Sequence, residues 1–270
     1  MAHFHRGLFI VAITTLLLSY AAVAQSSQPQ ENIVDERVVE LLLTTGAKER
    51  LLYVRPAHPS ATVVMLPGGA GDIGIERDGN LRHGHNFVVR TRALWAAQGF
   101  AVVIPDTIDK TSLRGMRSTP AYAAVVADLI AFAQGEVKGA VFLLGTSQGA
   151  IAAMNGAAHA PVGELSGLIL TESVSRFGGS QETVFDADPT AVRVPVLIVA
   201  NRDDRCNVAP PDDAPKIAAA LTNAGDVRVL KVSGGTDRAR RACGSLSPHG
   251  YYGIESEIVG RISRWMRSHR

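Results

Sequence analysis

Residues 141–150 read VFLLGTSQGA and run on into the small-residue stretch IAAMNGAAHA at 151–160. An apolar run, the turn Gly145-Thr146-Ser147-Gln148-Gly149 and a run of small residues spell strand, sharp turn and helix, with a serine at the apex. A serine hydroxyl is a weak nucleophile until a fold lifts it into the open beside a base. The two glycines supply what that lift requires. Without Cβ atoms they let the strand before and the helix after pass close to a strained turn residue. The segment therefore reads as a nucleophile elbow and not as an ordinary Gly-rich turn.

Outward from the elbow, apolar runs alternate with stretches of helical periodicity. Residues 37–43 and 50–54 are expected strands joined around 44–47, and 61–66 (ATVVML) is a buried strand entering the turn Pro67-Gly68-Gly69-Ala70-Gly71. A helix is expected over 87–98, then a strand over 100–104 ending at Pro105-Asp106, then a helix over 120–134 with proline in its first turn. Residues 140–144 lead into the elbow. Further strands are expected at 165–170, 194–200 and 227–232, and helices at 212–224 and 251–266. Strands that are apolar throughout and alternate with helices imply an α/β protein with a mostly parallel sheet covered on both faces. No repeat or linker divides residues 25–270, so they read as one domain, long enough to bury a core without help from metals.

The first residues read as an export signal. His3, His5 and Arg6 make a weakly basic start, 8–18 is an apolar run, and Ala22-Val23-Ala24 is a small-x-small cleavage site that would leave Gln25 as the new N-terminus. The apolar run is short for a membrane span of about 20 residues, and no cysteine follows Ala24 to carry a lipid. A secreted or periplasmic protein without stable membrane insertion is expected. The net charge is +2 with the basic residues dispersed, which leaves a nucleic-acid partner without an electrostatic footprint. Arg261, Arg264, Arg267 and Arg270 recur at helical spacing and read as the solvated face of the last helix.

In sheets of this kind the working groups lie at the carboxyl ends of the strands. Three candidates fall there in chain order. Ser147 follows the central strand, Asp203-Asp204 follows VPVLIVA-Asn-Arg, and His249 stands in Ser247-Pro248-His249-Gly250 before the last helix. With the elbow and this Ser–Asp–His order, the chain resembles the serine hydrolases of the α/β-hydrolase fold over nearly all of residues 25–270.

That resemblance implies Ser147 as nucleophile, His249 as general base and Asp204, in preference to Asp203, as the acid that orients it. Glu172, just past the strand GLILT, is the alternative acid, because some members of this fold place theirs after that strand. For the oxyanion, the elbow offers the backbone N–H of Gln148. The turn after 61–66 offers that of Gly69, with Ala70 next to it, although Pro67-Gly68 stands where the family usually has His-Gly. Cys206 and Cys243 lie in the acid and histidine loops that must converge, and in an exported protein they are expected to be bonded. Such a bridge would close a loop of about 40 residues and contribute up to about 4 kcal/mol.

The interval 170–194 has room for a loop and one short helix but not for a large cap domain, so an open cleft is expected. His83 and His85 read as members of a polar loop beside the oxyanion turn, and Arg114 and Arg117 as members of a solvated basic loop; contact with substrate is open for both pairs. No phosphate-binding Gly-rich loop of the Walker type is present, and no metal or cofactor is called for. The expected activity is that of an exported serine hydrolase cleaving a small-molecule or exposed ester through an acyl-enzyme. A peptidase, amidase or thioesterase of the same fold, or a non-catalytic binding protein that retains it, are the alternatives.

Overall fold

The strands from residue 61 to residue 201 are predominantly apolar because both of their faces are covered. The computed structural model describes residues 1–3, 33–76 and 78–270, so the expected export signal lies, beyond its first three residues, outside the described residues. Eight strands form one sheet: β1 (Ile33–Leu42), β2 (Lys48–Pro56), β3 (Ala61–Leu66), β4 (Phe100–Pro105), β5 (Ala140–Thr146), β6 (Gly167–Thr171), β7 (Val196–Asn201) and β8 (Val227–Val232). Their spatial order is β1-β2-β4-β3-β5-β6-β7-β8. The β1–β2 and β2–β4 pairs are antiparallel and every other pair is parallel. Strands β3, β4, β6 and β7 are buried at every position.

Successive side chains on these strands feed opposite layers, as the two-residue period of a strand demands. One layer joins Val64, Leu143, Leu168 and Ile198 to α3 (Pro120–Glu136), α4 (Gly149–His159) and α5 (Ala214–Ala220) through Leu129, Ile151 and Ile217. The other joins Val63, Phe142, Ile169 and Leu197 to α1 (Phe87–Arg90), α2 (Arg92–Ala97) and α6 (Glu255–Arg267) through Val88, Trp95 and Ile262. The expected sheet with helices on both faces is what forms. Arg261, Arg264, Arg267 and Arg270 are exposed, as their spacing implies.

Three helices differ from their sequence expectation, each for a local reason. The helix expected over 87–98 is interrupted at Thr91 (φ −93°, ψ −3°), whose N–H and hydroxyl both donate to the Phe87 carbonyl, at 3.1 and 2.8 Å. The helix expected over 212–224 is α5 alone, preceded by a 3-10 turn at Pro211–Asp213 and ended at Leu221 (φ −85°, ψ 56°). The last helix starts at Glu255 and not at Tyr251, because Tyr251 (φ 55°) and Gly253 (φ 90°) both take left-handed backbone. Between β6 and β7 the chain makes only two short 3-10 turns, Val184–Asp186 and Pro189–Ala191, and no cap domain. Among the described residues no helix is long and apolar enough to cross a membrane.

Candidate active site

The carboxyl ends of β3, β5, β6 and β7 converge with the loop between β8 and α6, and Gly69, Ser147, Gln148, Glu172, Asp204 and His249 sit there. The elbow is built by close approach. A Cβ at Gly145 would stand 2.3 Å from the Gly149 carbonyl oxygen, and one at Gly149 would stand 2.1 Å from that of Leu66. No side chain fits at either position, so α4 begins hard against the end of β3 and the turn between is forced tight. Ser147 at its apex has φ 55°, a conformation an L-residue adopts only under constraint. Its N–H donates to the Thr171 carbonyl at 2.9 Å, which ties the apex to β6.

His249 reaches this serine from the far loop. Its Nε2 lies 2.9 Å from Ser147 Oγ, and its Nδ1 lies 2.7 Å from Asp204 Oδ2. A carboxylate there can only accept, so Nδ1 carries the proton and Nε2 is left to accept from the serine hydroxyl. The His249 side chain is 4% exposed and that of Asp204 0%, which shields the pair from water. The second oxygen, Asp204 Oδ1, accepts the Cys206 N–H at 2.8 Å.

The two neighbouring aspartates are thus divided in use, since Asp203 Oδ2 instead accepts the Gly234 N–H. Asn201 clamps the loops together: its side chain donates to the carbonyls of Gly234 (2.9 Å) and Pro248 (3.1 Å). The sulfurs of Cys206 and Cys243 lie at disulfide distance, 2.05 Å, and join the Asp204 loop to the His249 loop.

Glu172 stands behind Asp204, away from the serine contact. It is 1% exposed, has φ 43°, and its Oε1 accepts the Asn201 N–H at 2.8 Å. Burial first, and then the adjacent Asp204, push its carboxyl well above the usual range.

On the opposite side of Ser147 lies the turn after β3. Gln148 caps α4, where first-turn N–H groups have no intrahelical partner. Gly68 packs against the elbow, and the turn is closed by the Gly71 N–H donating to the Gly68 carbonyl at 3.2 Å, with Gly69 at φ 64°. The next stretch is pinned by Asp106 at the end of β4, which accepts from the N–H groups of Ile73 (3.0 Å), Gly74 (3.3 Å) and Ile75 (2.8 Å).

Arg117 overturns its sequence reading as part of a solvated loop. It is wholly buried, while Arg114 is exposed. Its guanidinium donates to the Gly69 carbonyl at 2.9 Å and the Pro67 carbonyl at 3.5 Å, and meets Gln148 Oε1 at 3.4 Å. These partners are neutral oxygens. The nearby carboxylate of Glu182 is spent on backbone, accepting from the N–H groups of Arg117 and Ser118. Asn155 of α4 completes the brace by donating to the carbonyls of Arg117 and Thr119, each at 2.8 Å. Sequence reasoning missed Asn155, whose signal was a lone amide in an otherwise apolar and small-residue helix.

A cleft of about 560 Å³ opens beside the turn after β3, between the His83–His85 loop and the loop that carries His249. Arg82, Arg238 and Arg240 line it, against one carboxylate, Asp72. His83 Nε2 lies 3.5 Å from Asp72, and His83 and His85 both border the cleft.

Solved structures share this arrangement of strands. A dienelactone hydrolase from Anabaena variabilis superposes with a TM-score of 0.61 at 13% identity, covering 87% of this chain and 98% of its own. An esterase from Pyrococcus furiosus gives 0.61 at 12%, covering 87% and 93%. A Xanthomonas campestris protein described as an α/β serine hydrolase without a lid gives 0.57 at 14%, covering 87% and 95%. The protein has the α/β-hydrolase fold. No protein-family model matches the chain, and no curated protein sequence matches it. At these identities the likeness is one of fold alone.

Within the α/β-hydrolase fold, this chain's turn lacks the His-Gly start and rests on a buried guanidinium instead. Replacing that group with an apolar chain of similar length removes the donor from three acceptors, the buried Pro67 carbonyl and the part-buried Gly69 carbonyl and Gln148 Oε1. Arg117→Met should therefore lower folding stability by about 1–3 kcal/mol, with Arg117→Lys falling between it and the parent in chemical denaturation. Equal midpoints for all three proteins would show that the guanidinium holds nothing in place.

Proposed function

We propose that this chain is an exported serine hydrolase that cleaves carboxylic esters through an acyl-enzyme. The observation that carries the reading is the continuous path Ser147 Oγ–His249 Nε2 (2.9 Å) and His249 Nδ1–Asp204 Oδ2 (2.7 Å), set on a strained elbow. The printed names of the structural neighbours, a dienelactone hydrolase and esterases, support hydrolysis. The absence of a cap between β6 and β7 supports an open cleft suited to small or exposed esters.

In this reading Ser147 Oγ bonds to the ester carbonyl carbon as His249 takes its proton. The carbonyl oxygen becomes an oxyanion held by the N–H groups of Gln148 and Gly69. Collapse breaks the bond to the alcohol, which leaves with the proton from His249. Water then repeats the sequence on the acyl-enzyme, with His249 again as base and then acid. Asp204 holds the Nδ1–H tautomer and stabilises the imidazolium. This machinery sets acyl transfer and not the leaving group, so peptidase, amidase and thioesterase activities are the competing readings among enzymes.

A fluorophosphonate probe should label Ser147 in the folded protein, and Ser147→Ala should abolish both labelling and turnover of an activated ester. Asp204→Asn should lower kcat by about 10⁴, by loss of the tautomer and of imidazolium stabilisation. No labelling of the folded protein, with the same weak ester turnover in parent and Ser147→Ala, would leave a binding protein as the reading.

The cleft's three arginines against one aspartate favour an ester that carries an acidic group. Of two aryl esters matched in size, the one with a carboxylate should show the lower KM, and the advantage should shrink with added salt and in Arg238→Gln/Arg240→Gln. Equal KM values for the two esters at low salt would remove this preference.

Export rests on the signal-like residues 1–24 and on the Cys206–Cys243 pair, which suits an oxidising compartment. Protein recovered from the producing cell's periplasm or medium should begin at Gln25 and gain two hydrogens in mass on reduction. Recovery only from cytosol, with two alkylatable thiols, would defeat it.

A further inference from the structure

Glu172 has no part in the steps above, yet it shares one buried space with the acid and the base. One ligating atom from each of Glu172, Asp204 and His249 lies within 4.8 Å of the others, and all three residues are buried. The hydrogen-bond inventory around Glu172 is short. Oε1 accepts the Asn201 N–H, while Oε2 has no donor.

The titratable groups facing it are Asp204 from the β7 loop, and His249 and Tyr251 from the histidine loop. Tyr251 also stands within hydrogen-bond reach of the Glu172 carboxyl and pulls it downward, but the one proton of its hydroxyl is donated to the Val199 carbonyl at 3.0 Å. His249 spends its two nitrogens on Asp204 and Ser147. The other partner within hydrogen-bond reach is the Asp204 carboxylate, whose upward push together with burial outweighs Tyr251, and no lysine or arginine contributes a compensating charge.

Two carboxylates with no cation between them pair only when one holds a proton. Asp204 already accepts from the N–H groups of His249 and Cys206, so both of its oxygens are engaged as acceptors. Glu172 lies deeper, at 1% exposure with a single N–H donor.

On the triad reading of the preceding section, we propose that Glu172 is a positioning residue that stays protonated at neutral pH and donates its O–H to Asp204. The proton remains on Glu172 through the reaction. Its hydrogen bond fixes the Asp204 carboxyl plane so that Oδ2 meets His249 Nδ1. It also limits the cluster beneath the imidazole to one negative charge. Burial and the neighbouring carboxylate both push the Glu172 carboxyl upward, the direction this role requires. The alternative acid position is thereby occupied by a donor and not by a second base-orienting anion.

Three variants separate the possibilities. Glu172→Gln keeps the shape, the neutrality and an N–H donor, so kcat/KM at neutral pH should stay within about threefold of the parent and the acid-limb pKa should not move. Glu172→Leu keeps the volume but removes the donor. It should lower kcat by tenfold or more with KM little changed, in protein whose melting shows that it is folded.

If Glu172 were ionised in the parent, Glu172→Gln would delete a negative charge near the imidazole and lower the acid-limb pKa by a unit or more. That shift, or a hundredfold loss in the Gln variant, would overturn the proposal. Parent-like rates in folded Glu172→Leu would also overturn it. Should the Leu variant fail to fold, infrared difference spectra between the parent and Glu172→Gln at neutral pH decide the point. A protonated-carboxyl stretch present only in the parent supports the assignment, and its absence refutes it. Ser147→Ala run alongside distinguishes the two failures. An inactive Ser147→Ala leaves the hydrolase reading standing whatever Glu172 does.

Discussion

The approach of α4 to the end of β3 is the constraint on which the rest of the site depends. Backbone meets backbone there with no room for a side chain, since the missing Cβ at position 149 would overlap the Leu66 carbonyl and that at 145 would overlap Gly149. Two consequences follow from one contact. The turn between β5 and α4 is too short to relax, which holds Ser147 at positive φ and its hydroxyl outward. The same proximity brings the turn after β3 alongside the first N–H of α4, so nucleophile and candidate oxyanion donors share one piece of rigid backbone. Strain at such a point persists only because the surrounding sheet over-determines it. Here β5 is hydrogen-bonded between β3 and β6, and the Ser147 N–H is itself bonded to β6.

His249 and Asp204, the proposed base and acid, come from elsewhere in the chain and need fastening of a different kind. The loops bearing Asp204 and His249 are joined by the Asn201 side chain, by Asp203 on the Gly234 N–H and by the Cys206–Cys243 contact. Each fastener uses a residue within five positions of Asp204. A loop held so closely at its base can place a carboxylate against an imidazole without a secondary-structure element of its own.

The sequence made the architecture legible because its signals are local. Apolar runs at 61–66, 100–104 and 194–200 could only be strands covered on both faces, and Gly-x-Ser-x-Gly between strand and helix could only pack one way. The residues that converge from the ends of several strands were legible for the same reason, since strand ends announce themselves. Arg117 was not legible. Its neighbours Ser112, Arg114 and Met116 read as an exposed basic loop, and its burial depends on Gly69, Gln148 and Asn155, which are distant in the chain. The break at Thr91 and the late start of α6 were hidden likewise, because neither the turn at Thr91 nor the left-handed Tyr251 leaves a mark on a periodicity that otherwise continues. Glu172 was legible as an acid at a strand end, but its environment was not. Whether a carboxyl is an anion or a donor is decided by what is buried with it.

That distinction matters because the proposed acyl transfer would move charge in one direction across this site. As the serine attacks, positive charge gathers on His249 and negative charge on the substrate oxygen. The fold places a carboxylate under the first position. Behind the second it places a buried guanidinium whose partners are neutral oxygens, on the turn proposed to hold the oxyanion. Fixed charges of this kind act without reorganising during the reaction, and they act strongly where water is excluded. They must also be balanced. A second anion beside Asp204 would hold His249 as imidazolium before the serine had given up its proton, and the base would be lost at the pH where it is needed. A neutral Glu172 avoids that outcome while still orienting the acid. The same carboxyl group can help or disable the site, and burial decides which by keeping the proton on it.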